Sequence, residues 1–200
     1  MCGDTWVSLV SWVMPSRKDV LRMKKTVSMC LALVLVFCLA APAFAATNPA
    51  PADRLVNANC TYVVIAKDVN IRSSASSSSN IVRKESYGFQ FHANATSTGP
   101  GSSRGWALVQ AGQWLSGDYV VKVNFQTSTV KRTVKVTGGS LNVRTGPTTD
   151  APVARTLANG TTVYIDYITD YYVNGWAWAR IKLSATGASI GWTVMNGYLV

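Results

Sequence analysis

The chain has 200 residues and a formal net charge of +10, because 19 lysines and arginines stand against 9 acidic residues. Its length suggests one or two domains. Three of its four cysteines precede residue 46, so the rest of the chain keeps one cysteine and one histidine. That remainder cannot form an internal disulfide or a structural zinc site.

Residues 1–45 are expected to be a leader. Basic residues at 22, 24 and 25 precede an apolar run over residues 27–41, and small residues follow at 43–45. This is the layout of a cleaved secretory signal peptide. The run is about 15 residues, short of the roughly 20 that span a bilayer, so no stable membrane span is expected after cleavage. Met23, followed by two lysines, is the expected translation start.

The predicted mature chain has 14 basic and 7 acidic residues, a net charge of +7. We expect it to be secreted or extracytoplasmic, in the cell envelope. Positive charge on an exported protein favours an anionic envelope polymer or phosphate-bearing lipid as partner, and export argues against nucleic acid.

The chain after the leader contains the same pattern twice. Residues 46–61, rich in Ala, Pro and Asn, are predicted to be a disordered lead-in. Val69-Asn70-Ile71-Arg72 then matches Leu141-Asn142-Val143-Arg144 at an offset of 72, and Trp106 aligns with Trp176 at an offset of 70. Register held over this length indicates duplicated units. The predicted units are residues 62–123 and 131–200, with a linker at 124–130.

Within each unit the apolar residues alternate with polar ones, as in β-strands. Leu141 and Val143 alternate with Asn142 and Arg144, and Val163, Ile165 and Tyr167 alternate with Tyr164 and Asp166. Glycine-containing turns separate the runs, and Asn-Gly pairs at 159–160 and 174–175 predict hairpins. The predicted fold is all-β, with each unit closed into a small barrel that leaves no raw sheet edge.

The second copy resembles the bacterial Src-homology-3 (SH3) domain. The resemblance rests on LNVRTGP, on NGWAWARI and on GWTVMNGYLV, and it covers residues 132–200. The first copy is a degenerate version, with Ser73-Ser74-Ala75 in place of Thr145-Gly146-Pro147 and Gln113 in place of Gly191. The resemblance implies two small SH3-like barrels in tandem.

The strand WAWARIK supplies the main binding candidates. Trp176, Trp178 and Arg180 share one face, which we expect to be the outer face if its cations meet water. Aromatic area beside cations is typical of a binding surface. The alternative is that a tryptophan folds down over a barrel opening. Trp192 and Tyr198 are expected in the core.

Three tyrosines and an arginine complete the candidate ligand-binding set. Tyr164, Tyr171 and Tyr172 lie on or beside a hairpin loop and are expected to line the same groove. Arg144 could brace the loop that follows it or hold a ligand carboxylate, and bracing is favoured because Arg72 repeats it.

Catalytic chemistry finds little support in the sequence, and no enzyme activity, cofactor or metal is expected. Cys60 and His92 lack the orienting group and oxyanion site that a cysteine nucleophile needs. Residues Gly101–Gly105 match Gly-x-Ser-x-Gly, but the loop leads into a strand and no histidine follows.

The resemblance implies a non-catalytic protein that recognises cell-wall peptide (peptidoglycan) or a related envelope polymer. Tandem sites would strengthen retention by raising the local concentration of the second site. The alternative is an extracytoplasmic protein-interaction or regulatory factor that holds a partner enzyme or receptor.

Overall fold

A computed structural model describes residues 55–200, apart from the side chains of residues 127–129. Strands, turns and one short 3₁₀ turn account for the regular structure of this part, which contains no α-helix. The predicted all-β fold is confirmed. The predicted leader (1–45), the start at Met23 and most of the predicted lead-in lie outside the described residues.

The described part of the chain contains thirteen strands. Those before the 3₁₀ turn at Gly117–Tyr119 are β1 (Cys60–Val64), β2 (Val69–Arg72), β3 (Ile81–Glu85), β4 (Gln90–Ala93), β5 (Thr96–Ser97), β6 (Trp106–Gln110) and β7 (Gln113–Ser116). Those after it are β8 (Val120–Thr133), β9 (Ser140–Arg144), β10 (Val153–Ala158), β11 (Thr162–Thr169), β12 (Trp178–Lys182) and β13 (Ser189–Val194). No helix among the described residues has the length and apolar character to cross a membrane.

The strands form two antiparallel sheets whose curl is consistent with SH3-like barrels. One sheet has the order β10-β9-β13-β12-β11-β8-β1-β4, and the other has the order β3-β2-β7-β6-β5. We call residues 55–123 the first half and residues 131–200 the second half. The larger sheet contains strands of both halves, so the halves share backbone hydrogen bonds.

The predicted linker at residues 124–130 is wrong, because these residues lie inside the 14-residue strand β8. Val123 faces Thr61 of β1 on one side and Thr169 of β11 on the other. Asn124 and Phe125 pair with Ile168 and Tyr167 of β11, and Val130 pairs with Ile165, so residues 126–129 form a bulge between these pairs. The composition of this segment suggested a loop, but both of its ends belong to the ladder.

The predicted lead-in at 46–61 also ends too late. Cys60 and Thr61 belong to β1, where they pair with Ala93 and His92 of β4. Val56 is buried, and its N–H donates to Arg104 O at 3.0 Å. The polar residues around Cys60 gave no strand pattern, although β1 begins there. The strand follows a turn at Asn59, whose φ is +58°.

Three clusters of buried side chains hold the molecule together. The first lies in the first half and includes Ile71, Leu115 and Val120; the second lies in the second half and includes Val143 and Ile181. The third combines both halves, with these buried members: Val63, Val121, Val123, Tyr171, Val173, Trp178 and Trp192. Burial of these apolar side chains where the halves meet stabilises the contact between them.

The halves show the same local geometry, but one predicted equivalence is wrong. In each half, a strand that begins with a tryptophan pairs with the strand that follows it. In the first half Trp106 faces Ser116, and Leu108, two residues on, faces Trp114. In the second half Trp178 faces Val194, and Arg180, two residues on, faces Trp192. The structural counterpart of Trp106 is therefore Trp178, at an offset of 72. The offset of 72 that relates Arg72 to Arg144 therefore extends to this strand, and the predicted change to 70 is wrong.

Candidate functional site

Trp178 is not on a solvent-facing surface, so that expectation is wrong. Its side chain is 1% exposed, and its indole N–H donates to Val173 O at 3.0 Å. It does point away from the second-half core, opposite to Ala179, as the alternation requires. The face to which it points is covered by Val63 and Val121 of the first half.

Arg180 is also used inside the molecule rather than presented to a ligand. Its guanidinium makes a two-pronged contact with Asp166 at 3.0 and 2.8 Å and donates to Gln90 Oε1 of the first half at 2.7 Å. It lies over the Tyr167 ring, 4.4 Å from its centroid. A bulge between Ile165 and Tyr167 breaks the predicted alternation and allows this arrangement.

Tyr171 is a second anchor between the halves. It is 5% exposed, its hydroxyl donates to Val120 O at 3.0 Å, and Arg104 Nη2 donates to that hydroxyl at 2.6 Å. The expectation that Tyr171 lines an open groove is wrong. The first half supplies the partners that bury it, and the sequence of the second half alone cannot indicate them.

The other two tyrosines lie apart from each other and from the groove described next. Tyr164 is half-buried on β11, where its register neighbours are Lys131 of β8 and Lys182 of β12. Tyr172 is half-buried and accepts a hydrogen bond from Asn196 Nδ2 at 3.5 Å. The structure does not bring the predicted aromatic set together.

One groove of the second half is lined by three of the predicted residues, Trp176, Arg144 and the buried Trp178. It has a volume of about 250 Å³, and we call it the second-half groove. Trp176 and Tyr198 form an aromatic wall, with ring centroids 5.9 Å apart and planes at 53°. Val136, Leu141, Asn142 and Val194 also line the groove. Tyr198 was expected in the core, whereas it is half-buried at the groove.

A tight hairpin turn positions Trp176. Val173 and Trp176 exchange both backbone hydrogen bonds, at 2.9 and 3.1 Å, across Asn174 and Gly175. Both turn residues have positive φ, +51° and +78°, as a type I′ turn requires. The hairpin predicted at this Asn-Gly pair is confirmed. The pair at 159–160 also forms a turn, but the strands that it joins, β10 and β11, do not pair.

Arg144 braces the loop that follows it, as favoured from the sequence. Its Nη1 donates to Ala151 O at 2.7 Å, and Arg72 Nη1 donates to Ser79 O at 2.6 Å in the first half. This hydrogen bond holds the Arg144 guanidinium at the rim of the groove. Among residues 55–200 it uses one of the five N–H donors of the guanidinium, so others can face a ligand.

Asn174 is a residue whose positioning role the sequence did not reveal. Its Nδ2 donates to Thr149 Oγ1 at 2.6 Å and to Thr148 Oγ1 at 3.1 Å, which ties the Trp176 hairpin to the loop held by Arg144. The Asn-Gly pair indicated the turn, but nothing local indicated that the amide reaches a loop 25 residues away.

The catalytic candidates do not assemble. Cys60 pairs with Ala93, which is buried in the first-half core, while His92 is exposed on the opposite face of β4. In the Gly-x-Ser-x-Gly match, the Ser103 hydroxyl donates to Asp118 at 2.6 Å, and the loop leads into β6 rather than a helix. Within residues 55–200, no three His, Cys, Asp or Glu side chains are grouped as a metal site would need.

Comparison with known families identifies one part of the chain. Residues 139–199 match the family model of the bacterial SH3 domain. This family is often involved in cell-wall or protein binding, and its domains are commonly extracellular. None of the curated proteins matches the chain. The matched segment contains Leu141, Asn142, Arg144, Trp176 and Tyr198, so the second-half groove is built almost entirely from it.

Proposed function

We propose that this is an exported, non-catalytic protein whose second-half groove binds cell-wall peptide or a related envelope polymer. In this proposal residues 1–45 are a cleaved leader and the first half is a degenerate second SH3-like domain. The observation that carries it is the aromatic groove inside the segment that matches a family often involved in cell-wall or protein binding.

The chemistry of the groove suits a short stretch of peptide. Trp176 and Tyr198 offer ring surface for apolar side chains, and Leu141 extends that surface. The Asn142 amide can both donate to and accept from a peptide bond. Arg144 places a fixed positive charge at the rim, where a peptide carboxylate would be attracted.

The size of the groove favours a segment of a polymer over a small metabolite. Its volume of about 250 Å³ is below the roughly 300–1,000 Å³ of pockets that enclose drug-sized ligands. A shallow site of this kind binds weakly by itself. The net charge of +7 expected for the mature chain would raise the local concentration of an anionic wall polymer around it.

Co-sedimentation with purified peptidoglycan tests the proposal. We expect the protein to pellet with the wall, and Trp176→Ala to lower the retained fraction about tenfold, because the aromatic wall is lost. Phe125→Ala is the matched control, since Phe125 is 60% exposed and lies outside the groove. The assay is repeated at high salt, where retention by charge alone is lost.

A wild-type protein that stays in the supernatant would reject wall binding. Equal loss of retention for the Trp176 and Phe125 variants would instead reject the second-half groove as the binding site. If wall binding is rejected, a protein partner held in the same groove is the alternative. Trp176→Ala in a pull-down with envelope proteins would test that alternative directly.

A further inference from the structure

The first half contains a groove at the positions equivalent to those of the second-half groove. It has a volume of about 220 Å³, and we call it the first-half groove. Asn70, Arg72 and Trp106 line it, and they stand 72 residues before Asn142, Arg144 and Trp178 of the other groove. The two grooves therefore share a bracing arginine, an outward-facing asparagine and a buried tryptophan at the base.

The walls of the two grooves differ in chemistry. Val194, which pairs with Trp178, lines the second-half groove. The equivalent residue of the first half, which pairs with Trp106 and lines the first-half groove, is Ser116. Trp176 corresponds to Arg104 at an offset of 72, and Arg104 Nη1 donates to Val120 O at 2.9 Å instead of lining the groove. The first-half groove thus lacks the apolar wall that suits peptide side chains.

Polar groups and one open aromatic ring take the place of that wall. Lys67, Asp68 and Ser77 are exposed along the groove, and Tyr119 is 48% exposed at its edge. A ring face beside a mixed set of hydrogen-bond donors and acceptors suits a sugar, whose C–H face stacks on the ring while its hydroxyls bond to the polar side chains.

Asn70 adds an independent observation. Its Oδ1 is the buried side-chain polar atom that has no hydrogen-bond partner among the described residues. A buried polar atom without a partner destabilises the fold and calls for a specific explanation. Asn70 itself lines the first-half groove, where a hydroxyl or amide of a ligand could donate to its side-chain oxygen.

We propose that the first-half groove binds a sugar ring of the polymer whose peptide part occupies the second-half groove. This inference rests on the proposed function and names a second subsite with different chemistry. Because the halves are joined through β8 and a shared buried cluster, the two subsites belong to one compact unit. A polymer bearing both sugar and peptide gains retention from simultaneous contact with both.

The test is a titration of the purified protein with a β-1,4-linked tetramer of N-acetylglucosamine, followed by chemical-shift changes in the NMR spectrum. We expect Tyr119→Ala to weaken binding about tenfold and Tyr119→Phe to stay within about twofold of wild type, because phenylalanine keeps the stacking face. Lys67→Ala, a change at an exposed side chain, provides a second variant and is expected to weaken binding about threefold. Trp176→Ala is the control and should leave sugar binding unchanged.

The outcomes separate this inference from the proposed function. Sugar binding that depends on Tyr119 but not on Trp176 supports the inference, even if whole peptidoglycan is not retained. Absence of shifts at millimolar tetramer, or binding lost in Trp176→Ala and kept in Tyr119→Ala, overturns it. Failure of the peptidoglycan assay with intact sugar binding would instead remove the peptide part of the proposal.

Discussion

Trp178→Ala measures how far the contact between the halves stabilises the protein. The side chain is 1% exposed, lies in the mixed cluster and donates to Val173 O at 3.0 Å. Truncating a buried tryptophan to alanine costs about 3–5 kcal/mol, because contacts are lost and a cavity remains. For a folded unit of this size each kcal/mol lowers Tm by about 2–4 °C, so we expect a decrease of about 6–20 °C.

Urea unfolding followed by far-ultraviolet circular dichroism provides the assay, since tryptophan fluorescence changes with the substitution itself. Trp176→Ala is the matched control, because Trp176 is half-buried and its loss should cost less than about 2 kcal/mol. Trp106→Ala should resemble Trp178→Ala, because Trp106 is 2% exposed and its indole N–H donates to Gly99 O at 2.9 Å. A Trp178 variant within about 1 kcal/mol of wild type would refute the buried interface.

Three further substitutions probe other contacts. Gly146→Ala would place a Cβ 2.9 Å from Gly88 N of the other half, and we expect urea unfolding to show a loss of about 1–3 kcal/mol. Asp166→Ala leaves the partly buried Arg180 without its carboxylate, and calorimetry should show a loss of about 2–3 kcal/mol. Burial raises the pKa of Asp118, but hydrogen bonds from nearby serines outweigh it and hold the pKa below its usual value of 3.8. The Asp118 carboxylate therefore stabilises the fold above the unfolded-state pKa, and this contribution is lost as pH falls through the folded-state pKa. Unfolding curves below about pH 4 should show wild type losing more stability than Asp118→Asn.

Each of these predictions has a control or a contrary result. Gly187→Ala is the matched control, because neither glycine has a positive φ and the added Cβ at 187 would closely approach only the Ser184 hydroxyl, which can rotate away; an equal loss at Gly146 and Gly187 would contradict the backbone clash. Asp170→Ala, in an exposed ion pair, should cost less than about 1 kcal/mol; a loss as large as that of Asp166→Ala would show that burial does not decide the difference. Parallel pH curves for wild type and Asp118→Asn would exclude the proposed role of that carboxylate.

The sequence was sufficient for several strands of each half and for two features of local loop geometry. Period-two alternation located β9, and the Asn-Gly pair at 174–175 predicted the turn that positions Trp176. The repeated arginine predicted bracing, which both halves show. These features depend on neighbours within a few residues or on a single adjacent loop, so local patterns carry them.

The sequence was insufficient where the two halves meet. Alternation correctly placed Trp178 on the face opposite Ala179, but a pattern within one strand cannot reveal that another part of the chain covers that face. Arg180 and Tyr171 were misassigned for the same reason, since Gln90 and Arg104 bind them from the first half. Amphipathic residues serve equally well at an internal interface and at a ligand site.

The strand shared by the two halves bears on how the two proposed subsites would work together. Two barrels on a flexible linker would search for their ligands independently, and the gain from the second site would fall as the linker lengthened. Here β8 passes from one half to the other without a break, and Tyr171, Trp178 and Trp192 are buried where the halves meet. Under the proposed function, we expect the two grooves to keep their relative orientation, so that a polymer must match their spacing to occupy both. The proposed division of roles agrees with the lining of the grooves, because the first-half groove has the more polar wall of the two.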